Sequence, residues 1–147
     1  MVATSPRSSL TKAEVESAVR IYWSALAAKE AVRQQNCYAD SATVFATNSK
    51  KLEPVRLVLL RRQREYLTAG TRTTVEIGAM EVGLIGPNHA LAAYTIRLDA
   101  ERVTRASSSG QPVSEEHLEN ARVTHLFHRE NDGALRIIHE HISVPQL

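Results

Sequence analysis

The chain has a single cysteine, Cys37, which excludes an internal disulfide framework and a cysteine-based zinc site. No apolar run approaches the ~18 residues that a membrane-crossing helix requires, so no membrane partner is expected. Aromatic residues are sparse, at 5%, and each is therefore worth locating. Neither sign of charge dominates, because 18 Lys and Arg stand against 16 Asp and Glu, a net charge of +2. That balance offers no broad basic footprint, and no nucleic-acid partner is expected. The one tight basic cluster, Arg61, Arg62 and Arg64, falls on an expected helix and reads as a solvated face.

What is present is ordinary for a globular chain: 43% hydrophobic and 23% charged residues over 147 positions. That is enough for one domain with a buried core. The opening "MVATSPRSSL" lacks the apolar centre of a secretory signal. Residues 1–10 are expected to form a flexible leader and residues 11–147 the domain, in a reduced, cytoplasmic protein. No motif calls for a cofactor.

Helix signals come first. Thr11 and Glu14 have the spacing of a capping box. Val15, Ala18, Val19, Tyr22, Trp23 and Leu26 recur at three- and four-residue steps, as one buried helix face does. A shorter helix is expected over "EAVRQQNCY", a short strand over "ATVFAT" (42–47), and a further helix opening at Pro54, where the missing N–H costs nothing.

From Thr73 the pattern turns to β. "TTVEIGAMEVGLI" slips its alternation around Gly78–Met80, which marks a bulge. In "ALAAYTIRLDAERV", Ala90, Ala92, Tyr94, Ile96 and Leu98 face one way, and Leu91, Ala93, Thr95, Arg97 and Asp99 face the other. "ENARVTHLFHRE" and "ALRIIHEHISV" are joined by "NDG", a hairpin signal. Helices in front and an antiparallel meander behind give an α+β class, with a curled antiparallel sheet packed around the N-terminal helices.

The last strand places His139, His141 and Ser143 on one face. If His125 points to the same side, these groups join Arg97 and Asp99 inside a mostly apolar cup, the anatomy of a small-molecule site. The cluster admits three readings: hydrogen-bonded structural histidines, a ligand or catalytic pocket, or a zinc site of His125, His139 and His141. In the pocket reading His125 or His141 is the base, with Tyr22 and Arg97 holding an oxyanion. Arg97, Asp99, His139, Trp23 and Thr95 then line the ligand. No metal is expected, because H-x-H on a strand is a weak signal that no local carboxylate or cysteine strengthens. If Ala90, Ala92, Tyr94, Ile96 and Leu98 form the outer sheet face, it is too apolar to stay wet. A homodimer through that face would cover it.

"ARVTHLFHRENDGALRIIHEHISVP" (121–145), "AAYTIRL" (92–98) and "YADSATVFA" (38–46) together resemble the nuclear-transport-factor-2-like superfamily, especially its SnoaL-like and calcium/calmodulin-dependent protein kinase II association-domain branch. The resemblance covers most of residues 11–145 and implies a cone-shaped, cystatin-like fold. It puts Tyr22 where ketosteroid isomerases hold a dienolate oxygen. Their base aspartate falls at Ala46 or Phe45, and their second acid near Phe127 or His128, so that chemistry is not carried over. Against the association domain, Arg97 matches a pocket arginine and His125 replaces a second one. Two functions follow from it: an isomerase, dehydratase or cyclase, or a non-catalytic ligand-binding or oligomerisation module.

Overall fold

The computed structural model describes residues 9–65, 70–102 and 114–145. Three helices and six strands follow in the order α1 (Lys12–Ala27), α2 (Ala31–Gln35), β1 (Tyr38–Phe45), β2 (Glu53–Pro54), α3 (Val55–Glu65), β3 (Thr71–Ile85), β4 (His89–Arg102), β5 (Ser114–Arg129) and β6 (Leu135–Ser143). The α+β class expected from the sequence is what forms. The strands make one sheet in the order β2-β1-β6-β5-β4-β3. Every pairing is antiparallel except that of β1 with β6, which is parallel. The sheet curls without closing and carries α1 against β3 and β4, with α3 against β1.

Local chemistry sets the element ends. The Thr11 side chain accepts the Glu14 amide at 3.2 Å, so the N-cap half of the expected capping box forms, while the Glu14 carboxylate accepts from the Thr11 hydroxyl. Helix α1 ends where Lys29 takes a positive φ of 60°. The Lys29 and Glu30 amides then satisfy the carbonyls of Leu26 and Ala25. Val15, Val19, Tyr22, Trp23 and Leu26 are all buried, as the helical period requires. Leu10, assigned to the leader by sequence, is buried in the core; residues 1–8 lie outside the described residues.

Several boundaries differ from expectation; β5, for one, begins at Ser114, five residues before "ENARVTHLFHRE". Strand β1 begins at Tyr38, four residues before the "ATVFAT" run, because Tyr38 pairs with Ile137 of β6. Pro54 pairs with Thr43 as the end of β2, and α3 starts one residue later. The hairpin over Asn131-Asp132-Gly133 forms, with Gly133 at φ 86°.

The larger correction concerns which face of β4 lies inside. Ala90, Ala92, Tyr94, Ile96, Leu98 and Ala100 are buried, so the apolar row fills the cone and does not coat it. Thr95 and Arg97 are exposed. Alternation determines which residues share a face but is symmetrical as to which face is inside. Here burial of the apolar row decides, at about 25 cal/mol per Å², and the Arg97–Asp99 pair stays wet. The premise of a wholly apolar outer face is therefore overturned.

The expected irregularity in β3 is present as a register shift between Ile77 and Met80 opposite β4. Gly78 lies in it, and a Cβ there would stand 2.5 Å from Thr95 Oγ1 and 3.3 Å from the Thr95 carbonyl oxygen. Gly78→Ala should destabilise the protein by about 1–3 kcal/mol through overpacking, measured by urea unfolding. Adding Thr95→Ala should recover part of that loss. If Gly78→Ala is neutral, close packing is not what requires glycine here.

Candidate functional site

The inward faces of the strands bring together polar groups that lie far apart in the chain. Strand β5 turns Ala121, Val123, His125 and Phe127 inward, all of them buried. Strand β6 turns Ile137, Glu140 and Ile142 inward. A register shift opposite Leu126 and Phe127 interrupts the alternation at Ile138. The glutamate of "HEH" is thus the residue that enters the cone. Tyr22 and Trp23 come from α1, Tyr38 from β1, Tyr94 from β4 and Arg62 from α3.

These side chains form one hydrogen-bonded network. Arg62 Nη2 donates to Glu140 Oε1 at 2.6 Å, and Arg62 Nη1 donates to the hydroxyls of Tyr22 at 2.6 Å and Tyr38 at 2.7 Å. Tyr38 donates to Glu140 Oε2 at 2.9 Å. His125 Nε2 lies 2.6 Å from the same oxygen, and the Tyr94 hydroxyl lies 3.1 Å from His125 Nδ1. Trp23 Nε1 donates to Tyr94 at 2.7 Å.

The donor and acceptor inventory sets the direction of most of these bonds. A carboxylate only accepts, so His125 donates from Nε2. The indole only donates, so Tyr94 accepts from Trp23, and with His125 as the Nε2–H tautomer the Tyr94 hydroxyl donates to Nδ1. Tyr38 has given its proton to Glu140, so Tyr22 donates to Tyr38 at 2.6 Å. Tyr22, His125 and Glu140 are fully buried, and a network satisfied at each of these contacts is what makes such burial tolerable.

The charges follow from the same contacts. Burial alone would raise the Glu140 carboxyl, but the Arg62 charge and the His125 hydrogen bond outweigh it and hold Glu140 well below the usual carboxylate range. Burial pushes the Tyr22, Tyr38 and Tyr94 phenols up, so they stay protonated donors. Arg62 is 8% exposed and retains its charge beside Glu140 although burial opposes it. The solvated face expected for Arg61, Arg62 and Arg64 is corrected here: Arg62 turns inward. Arg61 makes a two-bond pair with Glu53, at 2.6 and 3.2 Å.

Beside the network lies a cavity of about 240 Å³. Its walls are Leu26, Val58, Ile96, Leu98, Leu118 and Ile142, and Tyr22, Trp23 and Arg62 supply a polar end. Thr47, Asn48, Arg61 and Glu116 also line it.

The residues singled out by sequence divide between the two faces. Tyr22 and Trp23 line the cavity, and His125 lies behind it, bonded to Glu140. Arg97 is exposed and pairs with Asp99 at 3.4 Å, while Asp99 also bonds His117. Thr95 is outside, over Gly78. His139 bonds Thr43 Oγ1 at 2.9 Å, and the exposed His141 meets the Phe45 ring at a centroid distance of 5.9 Å. His125 and His141 therefore do not share a face. The three histidines of the zinc reading cannot converge, and no group of three potential metal ligands occurs among the described residues. Tyr38, Arg62, Tyr94 and Glu140 were missed as site residues; the one carboxylate in the β-branched run "RIIHEHISV" was the available signal for Glu140.

No protein-family model matches the chain, and no curated protein matches its sequence significantly. Solved structures do match. A dehydratase candidate of the nuclear-transport-factor-2-like family from Streptomyces avermitilis superposes with a TM-score of 0.74 at 15% identity, over 92% of this chain and 96% of that one. The fold is nuclear-transport-factor-2-like. A superfamily protein of that name from Salmonella enterica gives 0.72 at 16% identity, over 92% of both chains. The association domain of C. elegans calcium/calmodulin-dependent protein kinase II gives 0.63 at 18%, over 90% of this chain and 97% of that one. Within this cone the network occupies the inner face and the paired Arg97 and Asp99 the outer. Among the described residues no helix is long and apolar enough to cross a membrane.

Glu140 makes stability depend on acid. Its carboxyl is depressed in the folded state, so its contribution is fully present above the unfolded value of about 4.3. That contribution is lost as pH falls toward the lower folded value. Glu140→Gln should cost about 3–5 kcal/mol at neutral pH, since it leaves Arg62 buried without a counter-charge. Denaturant unfolding followed across the acid range should show a flatter pH dependence for the variant. A variant curve parallel to wild type would refute the linkage.

Proposed function

We propose that the protein binds a small organic molecule in the cavity enclosed by α1, α3 and the sheet. The observation that carries this reading is the lining of that space, largely apolar side chains with the Tyr22 hydroxyl and the Arg62 guanidinium bonded together on its wall. Such a contrast gives a ligand both burial and orientation. The volume of about 240 Å³ exceeds the roughly 150 Å³ that suffices for benzene in an engineered apolar cavity.

A second reading, an isomerase, dehydratase or cyclase, is favoured by Glu116. It is the one carboxylate among the described lining residues and shares the cavity with Arg62 and Tyr22. A base and hydrogen-bond donors around one space are what proton abstraction beside a carbonyl needs. In this reading Glu116 takes the proton and Arg62 and Tyr22 hold the oxyanion. His125 then acts only through Glu140. The dehydratase candidate from S. avermitilis is in keeping with such chemistry. Deuterium exchange from heavy water into the carbon beside the carbonyl of cyclohexyl methyl ketone tests it, because Glu116→Gln should abolish the exchange. Equal exchange in the variant rejects Glu116 as the base.

Pairing of two copies through the outer sheet face is retained as part of the proposal on narrower grounds. Leu91 of β4 stands opposite Leu126 of β5 there, both half-buried. The C. elegans neighbour is an association domain by name. Sedimentation at low micromolar concentration should give the dimer mass, and a monomer rejects the pairing.

For the cavity itself, toluene serves as an apolar probe. It should raise the Tm of the wild-type protein with concentration. Leu98→Trp, which fills the space, should remove that shift while leaving the circular dichroism spectrum unchanged. A shift that survives in the variant would place the ligand elsewhere.

A further inference from the structure

We propose that Glu140 sets the class of ligand: the cavity selects an uncharged molecule carrying a hydrogen-bond acceptor, such as a ketone, aldehyde or amide, over a carboxylate of the same shape. This deepens the binding reading above and rests on it.

Among the described lining residues the charged groups are Arg61, Arg62 and Glu116, and Arg62 is the one bonded to Tyr22. A guanidinium has five N–H donors. The bonds to Tyr22, Tyr38 and Glu140 use both on Nη1 and one on Nη2. The Nε–H and the second Nη2 hydrogen have no partner among the described residues. The polar end therefore retains donors, but its positive charge is already matched. Glu140 holds that charge at 2.6 Å from a fully buried position.

The other polar groups of the end add no positive charge. Tyr22 and Tyr38 are protonated phenols, and the Nε2–H tautomer of His125, which donates to Glu140 and accepts from Tyr94, carries no charge. One cation and one anion leave the end neutral. An incoming carboxylate would be a second anion on a single cation, within a few ångströms of Glu140. Like charges brought together at a desolvated contact repel strongly. A carbonyl oxygen meets the same donors without that penalty.

The rest of the cavity points the same way. Arg61, at its edge, is already held by Glu53 through two bonds. Glu116 also lines the cavity. Leu26, Val58, Ile96, Leu98 and Ile142 ask for an apolar body.

Trp23 is the single tryptophan of the chain and lines the cavity, so its emission reports occupancy. Cyclohexyl methyl ketone and cyclohexanecarboxylate, titrated into the wild-type protein at neutral pH, compare one shape with and without a charge. The ketone should bind at least about tenfold more tightly. Equal or tighter binding of the carboxylate overturns the proposed class and leaves the cavity reading standing. No change in Trp23 emission with either probe overturns both. In folded Glu140→Gln, the preference should fall by about tenfold or reverse, because Arg62 then lacks a counter-charge. An unchanged preference overturns Glu140 as its cause. The wild-type pair decides the proposal if that variant does not fold.

Discussion

The interior of this protein is organised by one buried ion pair, Arg62 of α3 against Glu140 of β6. Each partner taken alone would be untenable where it lies, since an unpaired charge removed from water costs several kcal/mol. Together they draw in the hydroxyls of Tyr22 and Tyr38 and the imidazole of His125. Tyr94 and Trp23 extend the chain to β4 and α1. Elements α1, α3, β1, β4, β5 and β6 are thereby tied at one point. A mismatch in any of them would leave a buried polar group without its partner, which gives this assembly a specificity that apolar packing alone lacks.

The same pair explains why the cavity has two unlike ends. The polar groups satisfy one another on the side of Glu140, so the remaining inward positions of β4, β5 and β6 can be apolar and still line a usable space. Arg62 belongs to both regions, bonded to Glu140 behind and bordering the cavity in front. The outer face is built on a different principle. There Arg97, Asp99, His117 and Glu119 pair at the surface, where solvent screens them and each contact contributes little to stability.

The fold itself restricts function only loosely, because one cone architecture serves many activities. What separates this chain from the patterns it resembles is the content of the cone. The positions that the sequence resemblance matches to an isomerase's acids hold Ala46 or Phe45 and Phe127 or His128. The arginine matched to an association-domain pocket, Arg97, stands outside. The charged groups that do enter, Arg62 and Glu140, come from α3 and from the middle of "HEH".

The sequence by itself determined the class and much of the order of elements. The Thr11–Glu14 cap, the Val15-to-Leu26 helical stripe, the bulge at Gly78–Met80 and the NDG hairpin are short-range signals. Their causes lie within a few residues. It also determined which side chains share a strand face, as with His139 and His141 or Val123, His125 and Phe127. Which face turns inward was decided only by the tertiary structure, because a period of two is blind to its own sign. That choice depends on what the sheet wraps. With α1 inside, the row Ala90 to Leu98 had to enter, and Arg97 and Asp99 had to leave. Glu140 and Arg62 are 78 residues apart in the chain, one within a β-branched strand and the other within an arginine-rich helix. Neither has a local partner that would betray its burial. Only folding, which puts one charge where it can neutralise the other, made it possible to bury both.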